Sequence, residues 1–419
     1  MSWAVSIFWG AAALIVYTYL GYPAWVFIRS CVWPRPWLRK ESIPTVSVVM
    51  AVHNGGELVS DTINHLLSLD YPHDLLEIIV VSDGSSDQTN VLLQAASDQR
   101  LRVLICDDHR GKAAALNLGI RNAHGEILLF IDLRPRLQAG ALRSLLSNFA
   151  DPEVGCAAGK LILVREDHDA TSAAIGDLYW SYEQWLRVCE SIIDSPCGVY
   201  GGFYAVRRSL AVEFPEGLIL DDVYQPLQVV RQGYRCVIDR EAEVCDTWPK
   251  TSGREFQRKV RTLAGNVQLL QLAPWLLTEE NRLRFQIISH KLLRLFVPFA
   301  LLACLLACIP LRHSAFYSDL LWAQGLFYFL ALLGGVTDVP ILSRVTGPAS
   351  AFCLLNTAAV VALWKFAFMS EPLWRIWVPT ENPTKVSARN LFTSTATPVS
   401  WNQSTSAVVT GTSVKQEKN

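Results

Sequence analysis

The first 28 residues contain no charged side chain, and this feature most limits what the chain can fold into. As a helix, the apolar run 4–28 is long enough to cross a hydrocarbon core of about 30 Å. Four basic residues follow it, at Arg29, Arg35, Arg39 and Lys40. A cleaved signal peptide would begin with basic residues and be shorter. We therefore predict that residues 1–40 are a transmembrane anchor and its basic flank, with the N-terminus outside and the following chain in the cytoplasm.

Three more long apolar runs occur late in the chain, at 295–311, 320–336 and 349–368. They predict three transmembrane helices within 295–370, and they explain why only 18% of the chain is charged, against about 25% in soluble proteins. The Ser- and Thr-rich residues 371–419 are predicted to be disordered. The net charge is −1, from 37 basic and 38 acidic residues. A chain without excess positive charge is not expected to bind nucleic acid. The long apolar runs make membrane lipids its expected surroundings.

Between these runs, residues 41–250 are predicted to form one α/β domain with a mainly parallel sheet. Apolar segments of strand length occur at 46–52, 77–82 and 127–131, and the first two run into polar, glycine-containing loops. Open α/β sheets bind nucleotides at the carboxyl ends of their strands. Asp83, after the second strand, is suited to hydrogen-bond a base or ribose. Alternatively, Asp83 lies in a simple turn and Asp87 only caps the following helix.

Two further charged residues stand where a nucleotide would bind. The sequence Arg110-Gly111-Lys112 precedes an alanine-rich helix, so it offers free amides and a cation to a diphosphate. Asp132 follows the fully apolar strand 127–131, and an acid at the exit of a buried strand is costly unless it is used. The alternative for Lys112 is an exposed side chain on a surface turn.

Six segments together carry a family resemblance. In chain order they are SVVMAVHNGG, IIVVSDGSSD, RGKAAALNLG leading into GEILLFID, GVYGGFYAVRR, ILDD and EFQRKVRTLAGN. This order and spacing resemble family 2 glycosyltransferases, specifically the membrane-bound group that includes cellulose, chitin, hyaluronan and poly-N-acetylglucosamine synthases. The resemblance covers about 46–294. It implies a GT-A fold, which is a Rossmann-like, mostly parallel sheet, and a nucleotide-sugar donor, expected to be a UDP-sugar.

The resemblance implies a set of donor-binding residues. They are Val52, His53, Asn54 and Asp83 around the base and ribose, Lys112 near the donor, and Asp132 as the first acid of an Asp-x-Asp motif. The resemblance implies that the second acid of this motif is a ligand of Mg or Mn. In this sequence Arg134 stands in its place. We expect either that Asp132 still holds a divalent cation with diphosphate and water, or that Arg134 partly replaces the cation through a guanidinium contact.

The same resemblance assigns the reaction to Asp222 as general base, with Asp221 as its support. Two adjacent carboxylates raise each other's pKa, which helps one to accept a proton near neutral pH. In isolation, both acids are equally explained as residues of a helix N-terminus. The acceptor is expected to lie against Gly198, Tyr200, Gly201 and Gly202, although glycines there would also suit a tight core turn.

Residues 251–294 are predicted to be a basic segment followed by an interfacial helix. Arg258 and Arg261 follow Gln257 in a stretch that resembles the family's Gln-x-x-Arg-Trp segment. The tryptophan of that segment is missing here. We expect both arginines to contact the diphosphate, the alternative being anionic lipid headgroups. Residues 267–277 are predicted to be an amphipathic helix lying in the membrane interface.

These features predict an inverting glycosyltransferase in a bacterial inner membrane, multi-pass, with a cytoplasmic catalytic domain. The predicted acceptor is a growing polysaccharide. Two alternatives stay open: transfer of one sugar to a lipid or lipid-linked acceptor, and a catalytically weakened glycosyltransferase-like scaffold subunit.

Overall fold

The computed structural model describes residues 2–164, 172–247, 252–336 and 340–368. The tail predicted to be disordered, 371–419, lies outside the described residues. The strands are β1 Val46–Val52, β2 Leu76–Asp83, β3 Leu101–Cys106, β4 Ile127–Ile131, β5 Arg136–Leu137, β6 Val154–Val164, β7 Phe203–Arg207 and β8 Arg235–Thr247. The helices are α1 Ser2–Val16, α2 Tyr22–Val32, α3 Leu58–Leu67, α4 Thr89–Ala95, α5 Lys112–Arg121, α6 Ala141–Ser147, α7 Ser172–Ile193, α8 Asp221–Arg231, α9 Ser252–Leu272, α10 Arg284–Gln286, α11 Leu293–Leu311, α12 Ala315–Val336 and α13 Pro340–Phe368.

The described strands form one sheet in the order β3-β2-β1-β4-β7-β6-β8-β5. Strands β1, β2, β3 and β4 are parallel neighbours, β7 is antiparallel to both β4 and β6, and β8 is parallel to β6. The central strands β1, β2 and β4 are almost wholly buried, because helices cover both faces of the sheet. The predicted α/β domain with a mainly parallel sheet is confirmed.

Alternate residues of each central strand enter two separate cores. Val49, Ile79 and Phe130 face one core, which includes residues of α5 and α8. Val48 and Ile78 face the other, which includes residues of α3 and α6. Since side chains of a strand alternate between faces, the near-continuous apolar runs in the sequence follow from burial on both sides.

Within the described residues, four helices are long and apolar enough to cross a membrane, by length and composition. They are Ser2–Val32, Arg284–Leu311, Ala315–Gly334 and Thr346–Phe368. The first and second contain π-helical turns, Tyr17–Gly21 and Ile287–Leu292. The turns meet directly, because the hydroxyls of Tyr17 and Ser289 are hydrogen-bonded at 2.8 Å.

A buried ionic cluster joins two of these helices to the α/β domain. His290 lies between two carboxylates of α7, with Nδ1 2.7 Å from Glu190 Oε1 and Nε2 3.1 Å from Glu183 Oε2. The Tyr22 hydroxyl donates to Glu190 at 2.6 Å, and Arg294 pairs with Glu183. Despite the cost of their burial, these cationic and donor groups hold the pKa of both carboxyls below the usual range. The cluster therefore binds α7 to both spans through charge-assisted hydrogen bonds.

The linker after the first span is bound to the domain by main-chain contacts. Arg235, only 1% exposed, donates to the carbonyls of Arg35 at 2.8 Å and Asp194 at 3.1 Å. Trp37 Nε1 donates to Asn148 Oδ1 at 2.7 Å. The basic flank that follows the anchor thus lies on the domain surface as a docked strip of extended chain.

The segment 267–277 differs from its expected form. It is the end of α9 and a 3₁₀ turn, Pro274–Leu277, rather than a separate helix. Leu269, Trp275 and Leu276 are buried in the core of the α/β domain. Part of its apolar side is covered by protein, whereas Leu272 and Leu277 are exposed, and periodicity alone does not distinguish cover by protein from cover by lipid.

Candidate active site

The predicted donor residues lie at the carboxyl ends of β1, β2 and β4. His53 and Asn54 follow β1, Asp83 ends β2, and Asp132 follows β4. Because the three strands are parallel neighbours, these side chains emerge at one edge of the sheet. Val52, the fifth predicted residue here, is 3% exposed, so its side chain belongs to the core.

Asp83 organises the loop in front of α5. Its Oδ1 accepts a hydrogen bond from the Arg110 amide at 2.9 Å, and its Oδ2 accepts one from the Gly111 amide at 2.8 Å. The His109 ring nitrogen Nδ1 is 2.8 Å from the same Oδ2. The carboxylate therefore places Lys112, the first residue of α5, at the edge of the sheet.

Two histidines form a stacked pair beside Asp83. The rings of His53 and His109 lie 3.8 Å apart at an interplanar angle of 22°. His53 Nδ1 donates to the Asp83 carbonyl at 2.7 Å. Asn54, in the left-handed region with φ 51°, accepts from the Ser86 amide at 2.8 Å. A flat surface beside fixed polar groups is suited to a nucleobase.

Lys112 connects the two predicted acid positions. Its Nζ lies 2.9 Å from Asp132 Oδ1 and 3.1 Å from Asp221 Oδ2. Burial raises the pKa of Asp221 to about 6, with Lys112 opposing the rise and Asp222 adding to it. Burial acts against the charge of Lys112, but Asp132 and Asp221 raise its pKa above the ordinary value. The ammonium ion therefore lies between an acid that follows β4 and an acid that begins α8.

Asp222 lies in the first turn of α8, next to the glycine-rich segment. Its carbonyl accepts from the Val199 amide at 3.0 Å. A Cβ on Gly201 would lie 2.9 Å from the Cβ of Asp222, so only glycine fits there without a shift. Burial raises the pKa of Asp222, whereas Lys112, Arg187 and Lys291 lower it. The arrangement suits a carboxylate that accepts a proton.

The other predicted acceptor residues are packed rather than open. A Cβ on Gly202 would lie 2.6 Å from the Tyr200 ring, and one on Gly198 would lie 2.9 Å from Val223. The Tyr200 hydroxyl donates to Asp246 Oδ2 at 3.0 Å. Burial, with Asp246 and Asp132 nearby, holds the pKa of Tyr200 well above its usual range. The segment 198–202 thus forms a tight turn and also lies close to Asp222 and Asp246.

Arg134 pairs with a different acid of the site. Its guanidinium lies 3.3 Å from Asp246 Oδ2, the oxygen that also accepts from Tyr200. Asp246 was not predicted from the sequence, because only Val244 and Cys245 separate it from Glu243. It lies in β8, and its side chain is only 5% exposed. His109 was missed too, although it directly precedes the Arg110-Gly111-Lys112 segment.

Helix α9 brings one of its two predicted arginines close to the acids. Gly265 packs against Leu220, immediately before Asp221, and the Gln268 side chain accepts from the Ile219 amide at 3.1 Å. Arg261 is one turn before Gly265, on the same side of α9. Burial lowers the pKa of Arg261, while Asp221, Asp132 and Asp222 act to raise it. Arg258 is exposed.

The mostly parallel sheet, with acids and cations gathered where its strands end, has the architecture of the GT-A fold. Residues 47–213 match the family model described as Glycosyl transferase family 2. The predicted resemblance, the fold class and the class of enzyme are confirmed.

The relatives agree with this class. Poly-beta-1,6-N-acetyl-D-glucosamine synthase of Staphylococcus aureus (strain COL) is 24% identical over 252 residues, which are 58% of this chain and 60% of that protein. The Staphylococcus epidermidis protein of the same name is 22% identical over 327 residues, 75% of this chain and 78% of that one. This chain thus spans 60% of the length of the first of these relatives.

A solved structure supports the fold. Mannosyltransferase PcManGT from Pyrobaculum calidifontis, in complex with GDP-Man and Mn2+, superposes with a TM-score of 0.65 at 24% identity. The match covers 86% of this chain and 99% of that one.

Proposed function

We propose that this chain is an inverting glycosyltransferase that moves a sugar from a nucleotide-sugar donor, a UDP-sugar, to a growing polysaccharide at the membrane. The observation that carries the proposal is the cluster in which Lys112 bridges Asp132 and Asp221 at the carboxyl edge of the sheet. The poly-N-acetylglucosamine synthases among its relatives support a polysaccharide acceptor.

In the proposed reaction, Asp222 accepts the proton of the acceptor hydroxyl. The hydroxyl oxygen then forms a bond to the anomeric carbon, on the side opposite the nucleotide. The bond from that carbon to the diphosphate oxygen breaks, and its electron pair leaves with the diphosphate, so the configuration inverts. Lys112 and Arg261 are near enough to the acids to stabilise the departing charge.

The close approach of Gly201 to Asp222 supports an acceptor position on that side. The stacked rings of His53 and His109 support a base position at the other end of the same edge. Donor and acceptor would then meet near Asp132 and Asp222.

We also propose a location. Arg29 at the end of the first span, and Arg35, Arg39 and Lys40 after it, support a domain in the cytoplasm of a bacterial cell, with the spans in the inner membrane. A reporter enzyme that works only in the cytoplasm should be active when it is fused after the domain, at residue 250. An inactive reporter with normal expression would contradict this topology.

One observation favours the alternative of a single transfer to a lipid. No tryptophan follows in the stretch after Gln257 that resembles the family's Gln-x-x-Arg-Trp segment. Incubation of membranes with labelled nucleotide sugars and sizing of the product distinguishes the two. A ladder of lengths supports the polysaccharide, and one added sugar on a lipid supports the alternative.

The decisive variant is Asp222→Asn, which keeps the side-chain shape and removes the base. Transfer should fall by about 10²–10⁴-fold, while nucleotide affinity is retained. Asp70→Asn is the matched control, because the Asp70 side chain is 82% exposed. Normal transfer by Asp222→Asn would refute the assigned base. Absence of transfer by the wild type across a donor panel, with nucleotide binding absent, would leave the scaffold subunit.

A further inference from the structure

The GT-A resemblance implies a divalent cation, but the residues of this site do not fit one. Mg²⁺ and Mn²⁺ prefer carboxylate, phosphate and water oxygens. In the segment 132–134, Asp132 supplies the single carboxylate. Its Oδ1 is 2.9 Å from the Lys112 ammonium, so one of its two oxygens already contacts a cation.

Arg134 and Asp246 do not provide a substitute ligand. The Asp246 side chain is 5% exposed, and its Oδ2 is shared between the Arg134 guanidinium and the Tyr200 hydroxyl. Recruiting Asp246 to a metal would break both contacts and leave the guanidinium beside the ion. The guanidinium is permanently charged and has no acceptor atom.

Asp221 is likewise paired with a cation. Asp221 Oδ2 is 3.1 Å from Lys112 Nζ. A metal ion needs several ligand atoms close together. Among the described residues, Glu190, Cys197 and His290 form a group of this kind, with ligand atoms that all lie within 4.8 Å of one another. That group belongs to the buried ionic cluster of α7, not to the sheet edge.

Positive charge is nevertheless available to a diphosphate. Lys112 is 30% exposed and opens the N-terminus of the ten-residue helix α5. Arg261 Nε is buried and has no hydrogen-bond partner in the described part of the chain. A buried donor without an acceptor is costly, and a phosphate oxygen would relieve that cost. Lysine and arginine both bind phosphate through charge-assisted hydrogen bonds.

We infer that this site binds the donor's diphosphate with its own cations, Lys112 and Arg261, in the role that a divalent cation would otherwise take. The inference rests on the proposed function and specifies how that site holds the nucleotide. It makes nucleoside diphosphate affinity independent of Mn²⁺ and Mg²⁺. Arg134 keeps metal out, and its pairing with Asp246 fixes it in that position.

Calorimetric titration of the full chain in detergent with UDP and with GDP tests this, once in EDTA and once in Mn²⁺. The wild-type affinity for the nucleotide that binds should agree within about twofold between the two conditions. Lys112→Met should weaken it by about ten- to hundredfold in both, because a charge-assisted bond is lost. An affinity at least about tenfold higher in Mn²⁺ would overturn the inference.

Arg134→Asp restores the second acid and should make nucleotide binding tighter in Mn²⁺ than in EDTA. Arg231→Asp is the matched control, since Arg231 is 43% exposed against 41% for Arg134 and is also ion-paired. If the Arg134→Asp protein folds but its nucleotide affinity is the same in Mn²⁺ and in EDTA, the role given to Arg134 is overturned. If this variant does not fold beside Asp246, the wild-type comparison alone decides.

The outcomes separate this inference from the proposed function. Sugar transfer that requires Mn²⁺, with nucleotide binding that requires it too, overturns the inference and leaves the glycosyltransferase intact. No binding of either nucleotide in either condition, together with no transfer across a donor panel, overturns both.

Discussion

Asp221 is a buried acid whose ionisation destabilises the folded chain, and Asp221→Asn measures that cost. Burial raises its pKa to about 6 from the ordinary 3.8, so the folded protein binds this proton more tightly than the unfolded chain. Raising the pH through 4 to 6 therefore costs stability. At about 1.4 kcal/mol for each pKa unit, the cost above pH 6 is about 3 kcal/mol. The side chain is 8% exposed, so solvent screens little of this energy.

Asparagine has the shape of the protonated acid without its charge, so the variant should escape this cost. At pH 8 we expect a gain of about 3 kcal/mol, which for a domain of this size raises the Tm by roughly 6–12 °C. At pH 4 the gain should nearly vanish, because wild-type Asp221 is then protonated. Sugar transfer should fall, since Lys112 loses one of its two partners.

Thermal unfolding of both proteins in detergent, followed by intrinsic fluorescence at pH 8 and pH 4, tests this. Asp70→Asn is the control, with an 82% exposed side chain, and its Tm difference should not depend on pH. A lower Tm for Asp221→Asn at pH 8, or an equal gain at both pH values, would refute the reasoning.

Three further results are expected. Transfer should decline as the pH falls below about 6, where Asp221 becomes protonated and the raised pKa of Asp222 brings it towards protonation; a rate that rises on acidification would contradict the assigned base. Gly201→Ala should lower kcat by about tenfold or more at unchanged nucleotide affinity, because the new Cβ displaces Asp222. The control is Gly253→Ala, whose new Cβ meets nothing within 4 Å. Equal kcat values for the two variants would count against the geometry. His290→Ala should destabilise the chain by about 3–5 kcal/mol by leaving two buried carboxylates without their shared partner; an unchanged Tm would show that the cluster contributes nothing.

Three of the four strands in the parallel half of the sheet could be predicted from the sequence almost to the residue, whereas β3 was not predicted. The expected strands 46–52 and 127–131 coincide with β1 and β4, and 77–82 falls one residue short of β2 at each end. These strands are buried on both faces, so their sequences are continuous apolar runs between polar turns. The end of α9 was misassigned because an apolar helix face packs equally well against protein and lipid.

The site was predictable where its residues follow a strand, and not where they pair across the chain. Asp83, Lys112 and Asp132 stand at local signals, a strand end or a helix start. The salt bridge of Lys112 to Asp221 joins residues 109 positions apart, and that of Arg134 to Asp246 joins residues 112 apart. No local pattern encodes such distances, so the sequence left the partner of Arg134 open.

The docked linker has a consequence for experiments that cut the chain. Arg235 and Trp37 hold the strip after the first span by main-chain and side-chain contacts on the α/β domain. Proteolysis at an exposed position in this strip, such as Lys40, would therefore break a peptide bond without releasing the fragments from each other. The cut protein should still run as one particle in size-exclusion chromatography, so an intact elution volume would be poor evidence of an intact chain.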